Sequence, residues 1–388
     1  MTVSVEQIQR IAGFELNALR ATEVLGEEFE KVSLSRRGTP IYDINGAILF
    51  YRIPLSRGRT AFGYADIAAD EALGEPLLAT SMGQAWDEKA LLEVGTVMAR
   101  KGQRGLKYDD VRFVAYSFPK IALQFLLSGT EVLMLELHTW AEISPARPQD
   151  RKPLEPSNFE RWSLLDELPK ENRRSRASNF KKRLRLWDVP ALKKIDPRIV
   201  AKDTLRIKGF VIKLFDRREI HYSSRDADHH PCYELRGQQT NVWCVAASAE
   251  MVLNFYRYSY DQIRLAQELG LGTLANPNGL PYSRVGDVVT VMENLTSNAL
   301  DVTMYTNPGW DVFRDEIRAN RPLISFVPGH SRTVTGYTRS KIALVNQIPF
   351  SGLLVYDPWP PNVGVITRWE NFAIQTYQYA YSSVLRQI

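Results

Sequence analysis

A cysteine at the mouth of an apolar helix, with a glutamine six residues ahead of it, constrains this chain more than any other feature. The stretch runs Gln238-Gln239-Thr240-Asn241-Val242-Trp243-Cys244-Val245-Ala246-Ala247-Ser248. From Trp243 onward, Val245, Ala246, Ala249, Val252, Leu253 and Tyr256 recur at helical spacing, which predicts a helix with one buried stripe and its first turn at Cys244. The unpartnered N–H groups of that turn and the helix dipole favour a thiolate over a thiol. Cys244 is therefore read as a nucleophile. Gln238, on the loop just before the helix, brings a side-chain amide that can donate to an oxyanion. A cysteine in an apolar helix is also an ordinary small core residue, so the reading needs partners.

Two strand ends downstream supply them. The run Arg321-Pro322-Leu323-Ile324-Ser325-Phe326-Val327 stops at Pro328-Gly329-His330, and Thr333-Val334-Thr335-Gly336-Tyr337 resumes strand-like alternation, which puts His330 at a strand edge. A second apolar run, Gly352-Leu353-Leu354-Val355-Tyr356, stops at Asp357-Pro358-Trp359-Pro360, where proline ends the ladder and leaves the acid at a strand end. Asp357 is then able to orient the imidazole, although an aspartate before proline is also a common turn former.

The order Gln238, Cys244, His330, Asp357 resembles the papain-like cysteine peptidases, and within them the bacteriocin-leader-processing type. Trp243 before the nucleophile, Gly336-Tyr337 after His330 and Asp357-Pro358-Trp359 carry the likeness. The resemblance implies an α+β fold in which residues 233–388 form a papain-like catalytic domain, its helices packed on a small antiparallel sheet. It implies Cys244 as nucleophile, His330 as proton shuttle, Asp357 as the group holding the imidazole, and Gln238 with the Cys244 backbone N–H as oxyanion donors. A peptide or protein substrate is implied, with no metal and no organic cofactor. Asp357 stands where papain has asparagine, and the Cys-Gly-Ser-Cys-Trp signature of papain and the cathepsins is absent. Acyl transfer to an amine, as in transglutaminase-like enzymes, uses the same triad and remains an alternative. A non-catalytic binding protein on the same scaffold is another.

The 388 residues, 44% hydrophobic, suffice for two or three domains. Residues 1–165 read as an α+β accessory or propeptide-like domain. A helix over 3–29 is followed by two β-rich arms around Asn45-Gly46, a dipeptide suited to a tight hairpin turn. Strand-like pieces follow at 60–65, 76–81, 111–118 and 131–141, with a helix near 88–100. The helix-plus-hairpin order resembles the amino-terminal domains of streptopain-type peptidases, which implies an inhibitory propeptide. An accessory domain with an unknown ligand fits the same pattern.

Residues 166–232 read as a basic connector, partly ordered: between Glu171 and Arg218 stand sixteen Lys/Arg against five Asp/Glu, in a chain of net charge +5. Aromatics are sparse there, so it is read as a solvated linker that pairs with the acidic remainder, open to nicking, and no nucleic acid is expected as partner. Contact with nucleic acid or an anionic membrane is the competing reading of its Lys/Arg clusters. The cluster Asp226-Ala227-Asp228-His229-His230-Pro231-Cys232 has metal-ligand residue types but lacks zinc-site spacing, so no metal is expected. Within 233–388, further helices are expected from a capping box at Ser259-Tyr260-Asp261-Gln262 and over 283–295 and 310–319. No apolar run reaches the ~18 residues of a spanning helix. The first thirty residues lack a signal-peptide apolar region, and Cys232 and Cys244 are the two cysteines. A cytoplasmic address is the expectation.

Overall fold

The computed structural model describes residues 5–83, 85–143, 161–168, 170–188, 190–205, 212–220, 233–342 and 348–386. The first half runs through helix α1 (Val5–Ala21), strands β1 (Ser33–Leu34), β2 (Thr39–Asp43), β3 (Ile48–Arg57), β4 (Thr60–Ala68) and β5 (Leu77–Met82), helix α2 (Glu88–Gly102), and strands β6 (Asp110–Ser117), β7 (Lys120–Leu127) and β8 (Thr130–Glu136). Helices α3 (Leu164–Glu167) and α4 (Lys170–Trp187) and strand β9 (Ile212–Glu219) come next. The second half contains α5 (Cys244–Phe255), α6 (Gln262–Glu268), α7 (Asp287–Leu295), β10 (Leu300–Thr306) and α8 (Trp310–Arg318). It ends in β11 (Leu323–Val327), β12 (His330–Ile342), β13 (Ile348–Asp357), β14 (Val365–Asn371) and β15 (Tyr379–Leu385).

Local sequence explains several of these elements. The apolar stripe of α1 is buried at Ile8, Ile11, Ala12, Leu16 and Leu19. The β2–β3 turn is centred one residue earlier than a type I′ turn on Asn45-Gly46 would be: Gly46 N donates to Asp43 O at 2.9 Å, so Ile44 and Asn45 form the turn and Gly46, at φ 91°, follows it, with Asn45 Oδ1 accepting from Ala47 N at 3.0 Å. Helix α6 is capped one residue away from its aligned glutamine: Asp261, not Ser259, accepts from Arg264 N at 2.8 Å. The carboxylate sits at the N-cap position and already satisfies the third N–H of the helix, so the serine has no capping role.

The architecture is α+β, with helices packed against a mixed, open sheet. The order is β10-β15-β11-β12-β13-β14-β5-β4-β3-β2-β6-β7-β8, with β1 paired to β3 and β9 to β12. Among the described residues one strand pair, β2–β6, is parallel. The small antiparallel sheet expected around His330 and Asp357 is thus the middle of a larger one. The cause is β14, which pairs β13 on one side and β5 on the other, with Trp369 opposite Thr80 and Glu370 opposite Ala79. Trp369 and Ile374 consequently belong to the apolar core of the first half, together with α1, α4 and strands β2–β8. A second core, under α5 to α8 and β10 to β13, takes in Trp243, Phe255, Phe313 and Tyr337.

The expectation of a solvated linker fails over α4. Phe180, Arg183 and Trp187 recur at i, i+3 and i+7 and are buried. Arg183 donates to both carboxylate oxygens of Glu15 at 2.8 and 2.7 Å, and Trp187 Nε1 donates to Glu15 Oε1 at 2.6 Å. Paired in this way, a buried guanidinium is tolerated, so a basic helix packs on α1. The Asp226–Cys232 cluster lies outside the described residues. Among the described residues no group of three or more His, Cys, Asp or Glu is arranged to hold a metal ion, and no helix is long and apolar enough to cross a membrane.

Candidate active site

Cys244 is the first residue of α5, whose N-cap is Trp243 and whose first turn has no side-chain cap. Trp243 is buried and donates its indole N–H to Leu271 O at 3.0 Å, which fixes where the helix begins. The apolar stripe of α5 packs on β11 and β12. Ser248, one turn below Cys244, accepts a hydrogen bond from Ser331 Oγ at 3.1 Å, which sets helix and strand in register. Cys244 is partly exposed in a cleft of about 530 Å³ of empty space that it lines with Val245, Tyr282, Gly329, His330 and Lys120.

His330 begins β12, directly after the two-residue turn Pro328-Gly329 that joins it to β11, with Val327 and His330 paired across the ladder. Gly329 adopts φ 67°, a left-handed conformation that costs glycine nothing. The turn is gripped from two sides: Gly329 N donates to the Tyr282 hydroxyl at 2.8 Å, and Lys120 Nζ donates to Gly329 O at 3.2 Å. Asp357 ends β13, and its Oδ1 lies 2.6 Å from His330 Nε2 while accepting from Trp359 N at 2.9 Å. With Nε2 taken by the carboxylate, Nδ1 is the ring nitrogen left for the thiol.

The electrostatics follow from this contact. Burial pushes the Cys244 thiol up, but its interaction with the His330 ring and the positive charges of His330 and Lys120 outweigh burial and hold it below the ordinary thiol value. For His330, burial works against the imidazolium, and the Asp357 charge and hydrogen bond, with Cys244, raise it above the ordinary imidazole value. Asp357 is lowered: burial opposes ionisation, and His330, Arg332 and the Trp359 N–H overcome it. The arrangement favours a thiolate–imidazolium pair.

The sequence-derived residues Cys244, His330 and Asp357 come together from three elements. Gln238 is buried in the adjoining loop, stitched to the segment after Asp357: its N–H donates to Pro358 O at 2.9 Å and its carbonyl accepts from Asn362 N at 2.8 Å. Its side-chain amide donates to Thr240 O at 2.6 Å. One of the two amide hydrogens is thereby committed to the loop. Gln238 is not among the residues lining the cleft, whereas Asn241, three residues on, is. Sequence reasoning missed Lys120 and Tyr282, which hold the Gly329 turn. Trp359, part of the Asp357-Pro358-Trp359 pattern, is buried, with Lys120 Nζ 5.2 Å from its ring centre.

Comparison with known proteins gives a distant link to peptidases. Residues 231–385 match the family described as "Peptidase_C39 like family". No curated protein matches the chain. Among solved structures, the chain is similar to a double glycine motif protease from an AMS/PCAT transporter in complex with the leader peptide. That match has 13% identity and a TM-score of 0.25, and covers 42% of this chain and 97% of that one. Another is UfSP from C. elegans, with 11% identity and a TM-score of 0.27 over 59% of this chain and 48% of that one.

Proposed function

We propose that the chain is a cysteine peptidase of the papain-like, bacteriocin-leader-processing type, with Cys244 as nucleophile, His330 as acid and base, and Asp357 as the group that orients the imidazole. The observation that carries the reading is the 2.6 Å His330–Asp357 contact beside a cysteine at an uncapped helix start. The family match over residues 231–385 supports it independently.

In this mechanism the Cys244 thiolate attacks a peptide carbonyl carbon, forming a C–S bond. The oxyanion is stabilised by the Cys244 backbone N–H, joined by the remaining amide hydrogen of Gln238 once its buried side chain turns toward the cleft. His330 gives its proton to the leaving nitrogen as the C–N bond breaks, leaving a thioester on Cys244. Water then attacks the thioester, His330 takes its proton, and the thiolate departs as the second product forms. Asp357 holds the ring and stabilises the imidazolium throughout. The test is hydrolysis of a peptide library by the parent and by Cys244→Ala and His330→Ala variants. Each variant is expected to lose about 10³-fold or more of kcat/KM. Undiminished turnover in Cys244→Ala would refute the proposal.

A further inference from the structure

Lys120 belongs to the first half of the chain, yet it stands in the cleft of the second. It opens β7 across a tight turn from Ser117, and its Nζ reaches Gly329 O, 209 residues away, at 3.2 Å. It is 8% exposed, and the exposed part faces the cleft that Cys244 lines. Its other close partner is the ring of Trp359 at 5.2 Å. Among the described residues no carboxylate lies within ion-pair distance of it. Two groups feel its charge at longer range: the Cys244 thiol, and buried Glu136, whose Oε2 accepts from His138 N, Thr139 N and Thr139 Oγ1 while Oε1 has no hydrogen-bond partner among the described residues. An almost buried ammonium in direct contact only with a carbonyl and a ring face, with Cys244 and Glu136 acting on it at longer range, leaves room in the cleft for a directly paired anion.

Its position relative to the reaction says where that anion comes from. In the proposed mechanism His330 protonates the leaving nitrogen, so the leaving portion of a substrate lies on the His330 side of the scissile bond. Lys120 touches the residue before His330 and the tryptophan two residues after Asp357, which places it on that side. We propose that Lys120 is a specificity residue whose ammonium takes a carboxylate carried by the leaving portion of the substrate, within about one residue of the scissile bond. Two groups present this chemistry: the free α-carboxylate of a terminal residue and an acidic side chain. The inference rests on the peptidase reading for its substrate, but the cationic anchor is testable without turnover.

The experiment uses two thiol reagents of one size, iodoacetate and iodoacetamide, on the full chain, with the second-order rate at Cys244 read by peptide mapping. Relative to glutathione, the parent is expected to favour iodoacetate. That preference should fall about tenfold in Lys120→Met and Lys120→Gln and persist in Lys120→Arg, because the His330 imidazolium is common to all of them and only the charge at position 120 changes. An unchanged ratio in the neutral variants overturns the proposal. So does a parent ratio no higher than that of glutathione, which needs no variant to fold. Three peptides with a common acyl part then separate the sources: one leaving alanine, one leaving alanine amide and one leaving aspartyl-alanine amide. Preference for the first assigns a terminal carboxylate and for the third an acidic side chain, and equal kcat/KM for all three overturns the assignment. Absence of turnover with every peptide refutes the peptidase reading, and the alkylation ratio still decides Lys120.

Discussion

At the scale of residues, the site is a set of opposed shifts with a testable sign. The Cys244 thiol is held below its ordinary value and the His330 imidazole above its own. Both shifts act toward a thiolate–imidazolium pair; with the thiol titrating below the imidazole, turnover should rise as pH passes the cysteine and fall as it passes the histidine. Iodoacetamide modification of Cys244 should accordingly persist well below the pH at which a free thiol stops reacting, and His330→Ala should return it to ordinary thiol behaviour. A parent profile with one step at the free-thiol pH would remove the ion pair from the account. Gln238→Ala is expected to lower kcat about 10²-fold, the usual effect of one oxyanion donor, while Asp357→Ala loses less than His330→Ala. An unaffected kcat in Gln238→Ala would leave stabilisation to the helix N–H groups alone. Cys244, His330 and Asp357 were legible because each stands at a punctuated boundary: a helix start, a Pro-Gly turn and an Asp-Pro stop. Lys120 was not, because its contacts lie 209 residues along the chain and the local Phe118-Pro119-Lys120 turn says nothing of them.

At the scale of elements, the strand that joins the halves is the one sequence patterning hides. Strand β14 carries buried Trp369 and Glu370 side by side, so period-two alternation is lost. Strand β7 is buried along nearly its whole length and reads as an undifferentiated apolar run, and the charge of α4 masks a helix whose buried face is Phe180, Arg183 and Trp187. The amphipathic α1 and the Asn45-Gly46 hairpin were legible because their periods and turn chemistry are local. Packing at β14 leaves no slack: a Cβ on Gly352 would lie 2.0 Å from the Trp369 ring, whose tryptophan is fully buried. Gly352→Ala is expected to cost about 1–3 kcal/mol of stability in a denaturant titration, and an unchanged midpoint would mean that the ring moves aside. Near the α1–α4 contact, burial pushes Glu75 up to about 7, with Arg183 pulling it down and Glu15 pushing it further up. In the unfolded chain the same carboxyl titrates at 4.5. The fold therefore holds a proton that the unfolded chain has released, and stability falls as pH rises through that window, by about 3 kcal/mol at most. Glu75→Gln should equal the parent at pH 5 and exceed it in melting temperature at pH 8. Equal melting temperatures at both would show that Glu75 is ionised in the fold.

At the scale of the whole molecule, the first half cannot be lifted away without cost to the second. Strand β14 would lose β5 and become an open edge, and Trp369 and Ile374 would lose the core to which they belong. A chain beginning at residue 212 is therefore expected to be poorly soluble and to lack the Lys120 contribution at Cys244. A propeptide-like first half predicts the reverse, a truncated chain more active than the full one, and such a gain would establish the inhibitory role. The central claim is that Cys244 carries the substrate's acyl group. It is tested most directly by acid-quenching the full chain with a peptide p-nitrophenyl ester and mapping the adduct by mass. The account predicts an acyl group on the peptide containing Cys244, absent in Cys244→Ala, whose hydrolysis falls to background. Hydrolysis by Cys244→Ala at the parent rate, or an adduct on another residue, would contradict it.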